Sequence, residues 1–165
     1  MARRCIWNDS NTMVLVRFIV AAFSRLLRRN SNSADAGADE RHELGRKGEE
    51  LAVKFLRGKR YKILYRNFRA PKGGEVDIVC RDKATNTLVF VEVKTRSSIK
   101  FGTPAEAVNA GKQHLISRGA LAWLRLLDNP DVNFRFDIVE VLVEDGRPAC
   151  NLIRDAFQLP EPYIY

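Results

Sequence analysis

Apolar positions along this chain change spacing at a few well-marked points, and each change marks an element. From Glu40 to Arg57, the residues Leu44, Leu51, Ala52 and Phe55 recur at helical intervals, which predicts an amphipathic helix. Tyr61–Arg69 then reads as a short strand centred on Ile63 and Leu64, and Pro71-Lys72-Gly73-Gly74 as a turn. Glu75–Cys80 and Leu88–Thr95 are rich in Val and Ile, and the short join Asp82–Asn86 suits an antiparallel hairpin. A long helix is expected over Ala105–Leu127, opened by Pro104 and ended by Asn129-Pro130. Asn133–Val143 and Cys150–Phe157 complete the pattern as strands. Helix, three strands, helix and strand in this order predict an α/β domain with a mixed sheet.

The first forty residues follow a different pattern. Met13–Leu27 is apolar but interrupted by Arg17 and Arg25. Its longest uncharged stretch, Phe18–Ser24, is far short of the ~20 residues that span a bilayer. No unbroken apolar run precedes a small-residue cleavage site, so a secretory signal is not expected either. A basic amphipathic helix resting on a surface and a leader without function both fit. Asn30–Gly37 reads as a polar linker. The expected division is therefore a basic extension and linker over 1–39 and a folded domain over 40–160.

Composition sharpens this picture in two ways. With 165 residues and 45% apolar content, the chain is long enough for one self-supporting core. Its three cysteines, Cys5, Cys80 and Cys150, lack the spacing of a zinc or redox site and are expected as free thiols in the cytoplasm. The net charge of +8 is concentrated between Arg41 and Lys112, where seventeen Lys and Arg face eight Asp and Glu. Such a field suits a polyanionic partner, although solubility alone also accounts for it.

Candidate chemistry lies on the two strands of the hairpin. Regular strand period would place Glu75 and Asp77 on one face, with Val76 and Ile78 on the other. It would likewise pair Glu92 with Lys94, opposite Val89, Val91 and Val93. Two carboxylates and an ammonium can then converge beside an apolar face. A hard divalent cation takes carboxylate and carbonyl oxygens, so Asp77, Glu92 and the Val93 backbone carbonyl form a candidate Mg²⁺ or Mn²⁺ site. Lys94 would orient or deprotonate a water, or steady charge on a phosphate. The same pattern also fits a salt-bridged hairpin whose Glu92 and Lys94 face solvent. On the first helix, Glu49 borders the buried stripe of Leu44, Leu51 and Phe55, whereas Glu50 points to water. If either of this pair reaches the site it is Glu49, with Gly45 and Gly48 before it leaving room for close approach; an exposed, charged helix start with two permissive glycines fits the same residues.

The succession Leu44-Gly45-Arg46-Lys47-Gly48-Glu49, Asn67-Phe68-Arg69, Gly74-Glu75-Val76-Asp77 and Phe90-Val91-Glu92-Val93-Lys94-Thr95-Arg96 resembles the YraN-like (UPF 0102) family of bacterial proteins. Phe101-Gly102, Lys112-Gln113 and Arg135-Phe136-Asp137 extend the match, which covers about Arg41 to Leu159. That family is similar to the PD-(D/E)xK nucleases, and to archaeal Holliday-junction resolvases among them. The resemblance implies a restriction-endonuclease-like single domain, a central mixed sheet flanked by helices; the N-terminal segment, outside the match, is expected as a poorly ordered or loosely attached helix. It implies a catalytic set of Glu49, Asp77, Glu92 and Lys94. Val76 stands where the superfamily has proline, a position that makes no metal contact.

Glu75 and Gln113 are candidate supporting residues, Gln113 because it resembles a glutamine that some of these nucleases aim at the attacking water. Arg46, Lys47, Arg66, Arg69, Lys72, Arg96 and Lys100 are the candidate nucleic-acid contacts, and contacts of this type position a substrate without reading its sequence. Asp137 has a simpler reading as the partner of a nearby arginine. His42 and His114 are isolated, and Ser97 and Ser98 lack a histidine at triad spacing. The expected function is divalent-metal-dependent hydrolysis of DNA phosphodiesters, on branched or unusual structures, by a protein that forms a homodimer by analogy. The alternative is a nucleic-acid-binding module with this fold and little catalysis. Membrane contact through the N-terminal segment is not expected.

Overall fold

The computed structural model describes residues 36–96, 108–144 and 147–160. Helix α1 spans Ala36–Gly58, and strands β1 (Tyr61–Arg69), β2 (Glu75–Asp82) and β3 (Thr87–Arg96) follow. Helix α2 (Ala110–Leu126) leads to β4 (Phe134–Glu144) and β5 (Arg147–Phe157). The five strands form one sheet in sequence order. All neighbours are antiparallel except β3 and β4, which run parallel. A parallel pair needs a crossover, and α2 lies within it. The expected α/β architecture with a mixed sheet is the one observed.

Both sides of the sheet are covered, which explains why β3 is apolar on both faces. Leu88 and Phe90 pack with Ile116, Ala120, Trp123 and Leu124 of α2. Val89 and Val91 pack with Ala52, Val53 and Leu56 of α1. Leu88 to Val91 are all fully buried. Trp123 closes the α2 side against Phe68 and Tyr65, with ring centroids at 5.2 and 5.4 Å. Cys80 and Cys150 are free thiols on the α1 side. Among the described residues, no helix is long and apolar enough to cross a membrane.

Several boundaries differ from the sequence pattern. Helix α1 reaches back to Ala36, into the stretch read as linker. Helix α2 begins at Ala110 rather than Ala105, because Asn109 is its N-cap: the Asn109 side chain accepts from the Lys112 N–H at 3.0 Å. Pro104, the expected start, lies outside the described residues, as do Met13–Leu27 and Lys100.

A larger correction concerns β2. Val76 packs on the α2 side, yet Ile78, two residues on, packs on the α1 side. The expected alternation therefore breaks at Asp77. Opposite it on β1 stands Asn67, at φ 53°, between the pairs Arg66↔Ile78 and Phe68↔Val76. Asparagine tolerates this left-handed conformation better than most residues do. Phe68 follows Val76 into the α2-side core.

Candidate metal centre

The site is built where the β2–β3 hairpin opens. Its ladder runs from Asp82↔Thr87 to Ile78↔Val91 and stops there. Asp77 and Glu92 would come next. Instead of continuing the ladder, the Val93 N–H donates to Asp77 Oδ2 at 2.8 Å. A side chain thus takes over a main-chain acceptor role, and the two carboxylates are set into the fork between the strands.

Two glycines allow the helices to close on this fork. A Cβ on Gly48 of α1 would come within 2.9 Å of Thr95 Cβ and overlap the Thr95 hydroxyl. On the other side, a Cβ on Gly119 of α2 would meet Val76 Cγ2 at 2.9 Å and the Glu75 backbone at 3.0 Å. Gly48 brings α1 down beside the end of β3, and the next residue is Glu49. Gly48→Ala is expected to lower stability by about 1–3 kcal/mol, since Thr95 is β-branched and its Cβ cannot rotate away. In thermal melts, Thr95→Ala should recover part of that loss. Full tolerance of Gly48→Ala would show that α1 is not seated by this contact.

The charges are dense. Glu92 is 3% exposed, which rules out the reading of a solvated hairpin pair. Its Oε1 accepts from Lys94 Nζ at 3.0 Å and from Lys112 Nζ at 3.3 Å. Its Oε2 is buried and has no hydrogen-bond partner among the described residues. Burial, followed by the Glu92 charge, raises the Asp77 pKa to about 7; the Val93 N–H and Lys112 oppose the rise, and Glu49 adds to it. Glu49 is half-buried, whereas Glu50 is exposed and pairs with Arg46 at 3.1 Å, as helix phase predicts. Glu49 also lines an open cleft of about 590 Å³ with His42, Glu43, Gly45, Arg46 and Asn67.

Lys112, named by the sequence only as part of the Lys112-Gln113 motif and given no role there, lies at this site. Its Nζ lies 2.5 Å from Glu75 Oε1 as well as 3.3 Å from Glu92. Its hydrogen bond holds the Glu75 carboxyl below the usual range. Burial disfavours the Lys112 charge, but the bond to Glu75 and the charge of Glu92 outweigh it and push the Lys112 pKa up. A signal for it existed: Lys112 shares the helical stripe of Ile116, Ala120 and Trp123, all of which are buried. Gln113 instead directs its amide to the Val108 carbonyl at 3.0 Å.

The candidate phosphate contacts lie on α1, β1, the turn before β2 and the end of β3. Lys47 is exposed and pairs with Glu43 at 2.8 Å. Arg69 is exposed opposite Glu75 on β1, and its charge helps lower the Glu75 pKa. Arg66 is exposed on the same strand. Lys72 is exposed in the turn before β2, where its carbonyl accepts from the Arg118 guanidinium. Arg96 ends β3, half-buried. Asp137 takes the simpler of its readings, since it pairs with Arg135 at 2.9 Å.

The donor set fits a hard cation only with help from the backbone and water. Among the described residues, no three His, Cys, Asp or Glu side chains are grouped to hold a metal by themselves. Asp77 and Glu92 contribute two carboxylates, one with a buried oxygen lacking any partner. Mg²⁺ commonly keeps several waters and uses one or two carboxylates, so this set is sufficient.

Comparison with known proteins agrees with the motif resemblance. The model of the family described as "Uncharacterised protein family UPF0102" matches residues 48–141, from the Gly48 contact to β4. The UPF0102 protein of Pelobacter propionicus is 47% identical over 133 residues, covering 80% of this chain and 94% of its own length. That of Geobacter metallireducens is 49% identical over 116 residues, 70% of this chain and 93% of its own. A UPF0102 protein from Nocardia farcinica is 45% identical over 123 residues, 74% of this chain and 94% of its own. With the matched region spanning the hairpin fork, the second part of α1 and all of α2, the chain belongs to the UPF0102 family.

Proposed function

We propose that this protein is a divalent-metal-dependent endonuclease that hydrolyses DNA phosphodiesters, with branched or otherwise irregular DNA as its substrate. The observation that carries this reading is the buried, partnerless Glu92 Oε2 beside an Asp77 whose pKa is raised to about 7. A fold retains so costly an arrangement of buried charge most readily where function uses it.

Asp77, Glu92 and the Val93 carbonyl would hold Mg²⁺ or Mn²⁺, which supplies positive charge to the phosphate and acidifies the attacking water. Lys94, paired with Glu92 at 3.0 Å, would orient that water or steady charge on the scissile phosphate. Glu49 faces the centre from α1 and adds a third carboxylate. Arg46, Lys47, Arg69 and Lys72 are exposed and would grip the sugar-phosphate backbone. Such contacts select shape over sequence. A homodimer would match a two-fold substrate such as a four-way junction. The free thiols Cys80 and Cys150 support a reducing, cytoplasmic setting.

The test uses the full chain with four-way junction, flap and linear duplex DNA, in Mg²⁺, Mn²⁺ or EDTA. Cutting that requires the metal and disappears in Lys94→Ala is the expected result. Salt-sensitive binding to every substrate, with no metal-dependent cutting of any, would replace the enzyme by a binding module with the same fold.

A further inference from the structure

Lys112 is difficult to explain as an ordinary helix residue. It sits in the first turn of α2, a turn without acidic residues, where the helix dipole disfavours a cation. Its backbone is fixed by the Asn109 cap, and α2 is seated on β2 through Gly119. The side chain is 22% exposed and reaches back to Glu75 and Glu92. The carboxylates of the site therefore account for the cation, and the helix does not.

The two lysines at Glu92 are not equivalent. Among the described residues, the ion pair of Lys94 is with Glu92. Lys112 has a second and closer acceptor in Glu75, at 2.5 Å against 3.3 Å to Glu92. It can withdraw from Glu92 and keep its charge paired. A divalent ion beside Asp77 and Glu92 would stand within a few ångströms of this ammonium, where like charges in a half-buried site repel strongly.

We propose that Lys112 is the resident counter-cation of the metal-free site, bridging Glu75 and Glu92 until a divalent ion takes over Glu92. This rests on the metal-site reading above and assigns Lys112 a positioning role: it keeps the carboxylates gathered in the metal-free protein and competes with the ion for them. Removal of the ammonium then has two opposite effects. The metal-free fold weakens, because Glu92 and Glu75 lose a partner, and the affinity for the ion rises.

The experiment compares the full-length chain with Lys112→Met and Lys112→Gln by Mn²⁺ calorimetry and by thermal melts in EDTA and in Mn²⁺. Both variants are expected to bind Mn²⁺ at least tenfold more tightly. They should melt lower in EDTA and gain more from Mn²⁺ than the unmodified chain does, as linkage requires. Asp77→Asn should abolish binding in each background, which ties the ion to this site. If a variant folds only when Mn²⁺ is present, the ion is replacing the ammonium, and the proposal stands. Unchanged or weaker affinity in both variants, or failure to fold even with Mn²⁺, overturns the role of Lys112 while wild-type binding still upholds the metal site. Absence of Mn²⁺ binding in all three proteins overturns the metal site together with the inference.

Discussion

Asp77→Asn should abolish the metal-dependent cutting proposed above, since it removes a carboxylate that would hold the ion, and should stabilise the metal-free protein at pH 8. The second effect follows from the fork. Asparagine keeps the shape and can still accept from the Val93 N–H, but it carries no charge into a half-buried place beside the buried Glu92. The Asp77 pKa is raised from an ordinary 3.8 to about 7. An acid that holds its proton more tightly when folded contributes its stability fully below the unfolded value, near pH 4. That contribution is lost as pH rises through about 7. At pH 8 the ionised carboxylate therefore opposes folding, on the order of a few kcal/mol. In EDTA, Asp77→Asn should melt several degrees above wild type at pH 8, and the gap should close toward pH 4. Mn²⁺ should raise the wild-type melting temperature at pH 8 and leave the variant unmoved. A variant that melts at or below wild type at pH 8 would show that the Asp77 charge is well accommodated.

The same residue shows where the sequence could be read and where it could not. Strand β3 was plain, because Leu88 to Val91 are apolar without interruption and are buried on both faces. The placement of Glu92 and Lys94 on one side followed from period alone, and their 3.0 Å pair agrees with it. Preference for Glu49 over Glu50 followed from helix phase, since one turn of α1 decides it. The faces of β2 could not be read this way. Period two presumes an unbroken ladder, and this ladder stops at Ile78↔Val91, so Val76 and Ile78 part to opposite cores.

Lys112 was hidden for another reason. Its helical stripe is local, but its partners Glu75 and Glu92 lie 37 and 20 residues away in the chain, and only the crossover packing of α2 brings them together. Gln113, one position on, attracted attention by resemblance although its amide caps the Val108 carbonyl. The start of α2 was misplaced because Pro104 is the more conspicuous signal, whereas Asn109 supplies the hydrogen bond.

Arg135→Met should be the most damaging single change in this fold outside the apolar core, costing about 3–5 kcal/mol. Arg135 joins four groups away from the candidate metal site. Its Nε donates to Asp137 Oδ1 at 2.9 Å, and its Nη2 donates to Asp82 Oδ2 at 3.0 Å and to the Tyr61 hydroxyl at 2.8 Å. Its Nη1 reaches the Thr85 hydroxyl at 3.4 Å. Asp82 and Asp137 are 2% and 0% exposed, so loss of the guanidinium leaves two carboxylates without their cation. Burial already raises the Asp137 pKa against the pull of Arg135 and of the Asp155 N–H. Burial likewise opposes the Asp82 charge, but the Ala84 N–H and Arg135 more than compensate and lower its pKa. Without Arg135 both acids should hold their protons to higher pH. The stability deficit of Arg135→Met should therefore be largest at pH 8 and shrink as pH falls toward 4. Arg135→Lys should rescue only part of it, because one ammonium cannot reproduce a planar fork that bridges two strands and a tyrosine. Urea titrations at pH 5 and pH 8 measure both effects. An equal deficit at the two values would mean that the contact of the Arg135 guanidinium with the Tyr61 ring, at 5.9 Å from Cζ to the ring centroid, matters more than its pairing with the two carboxylates.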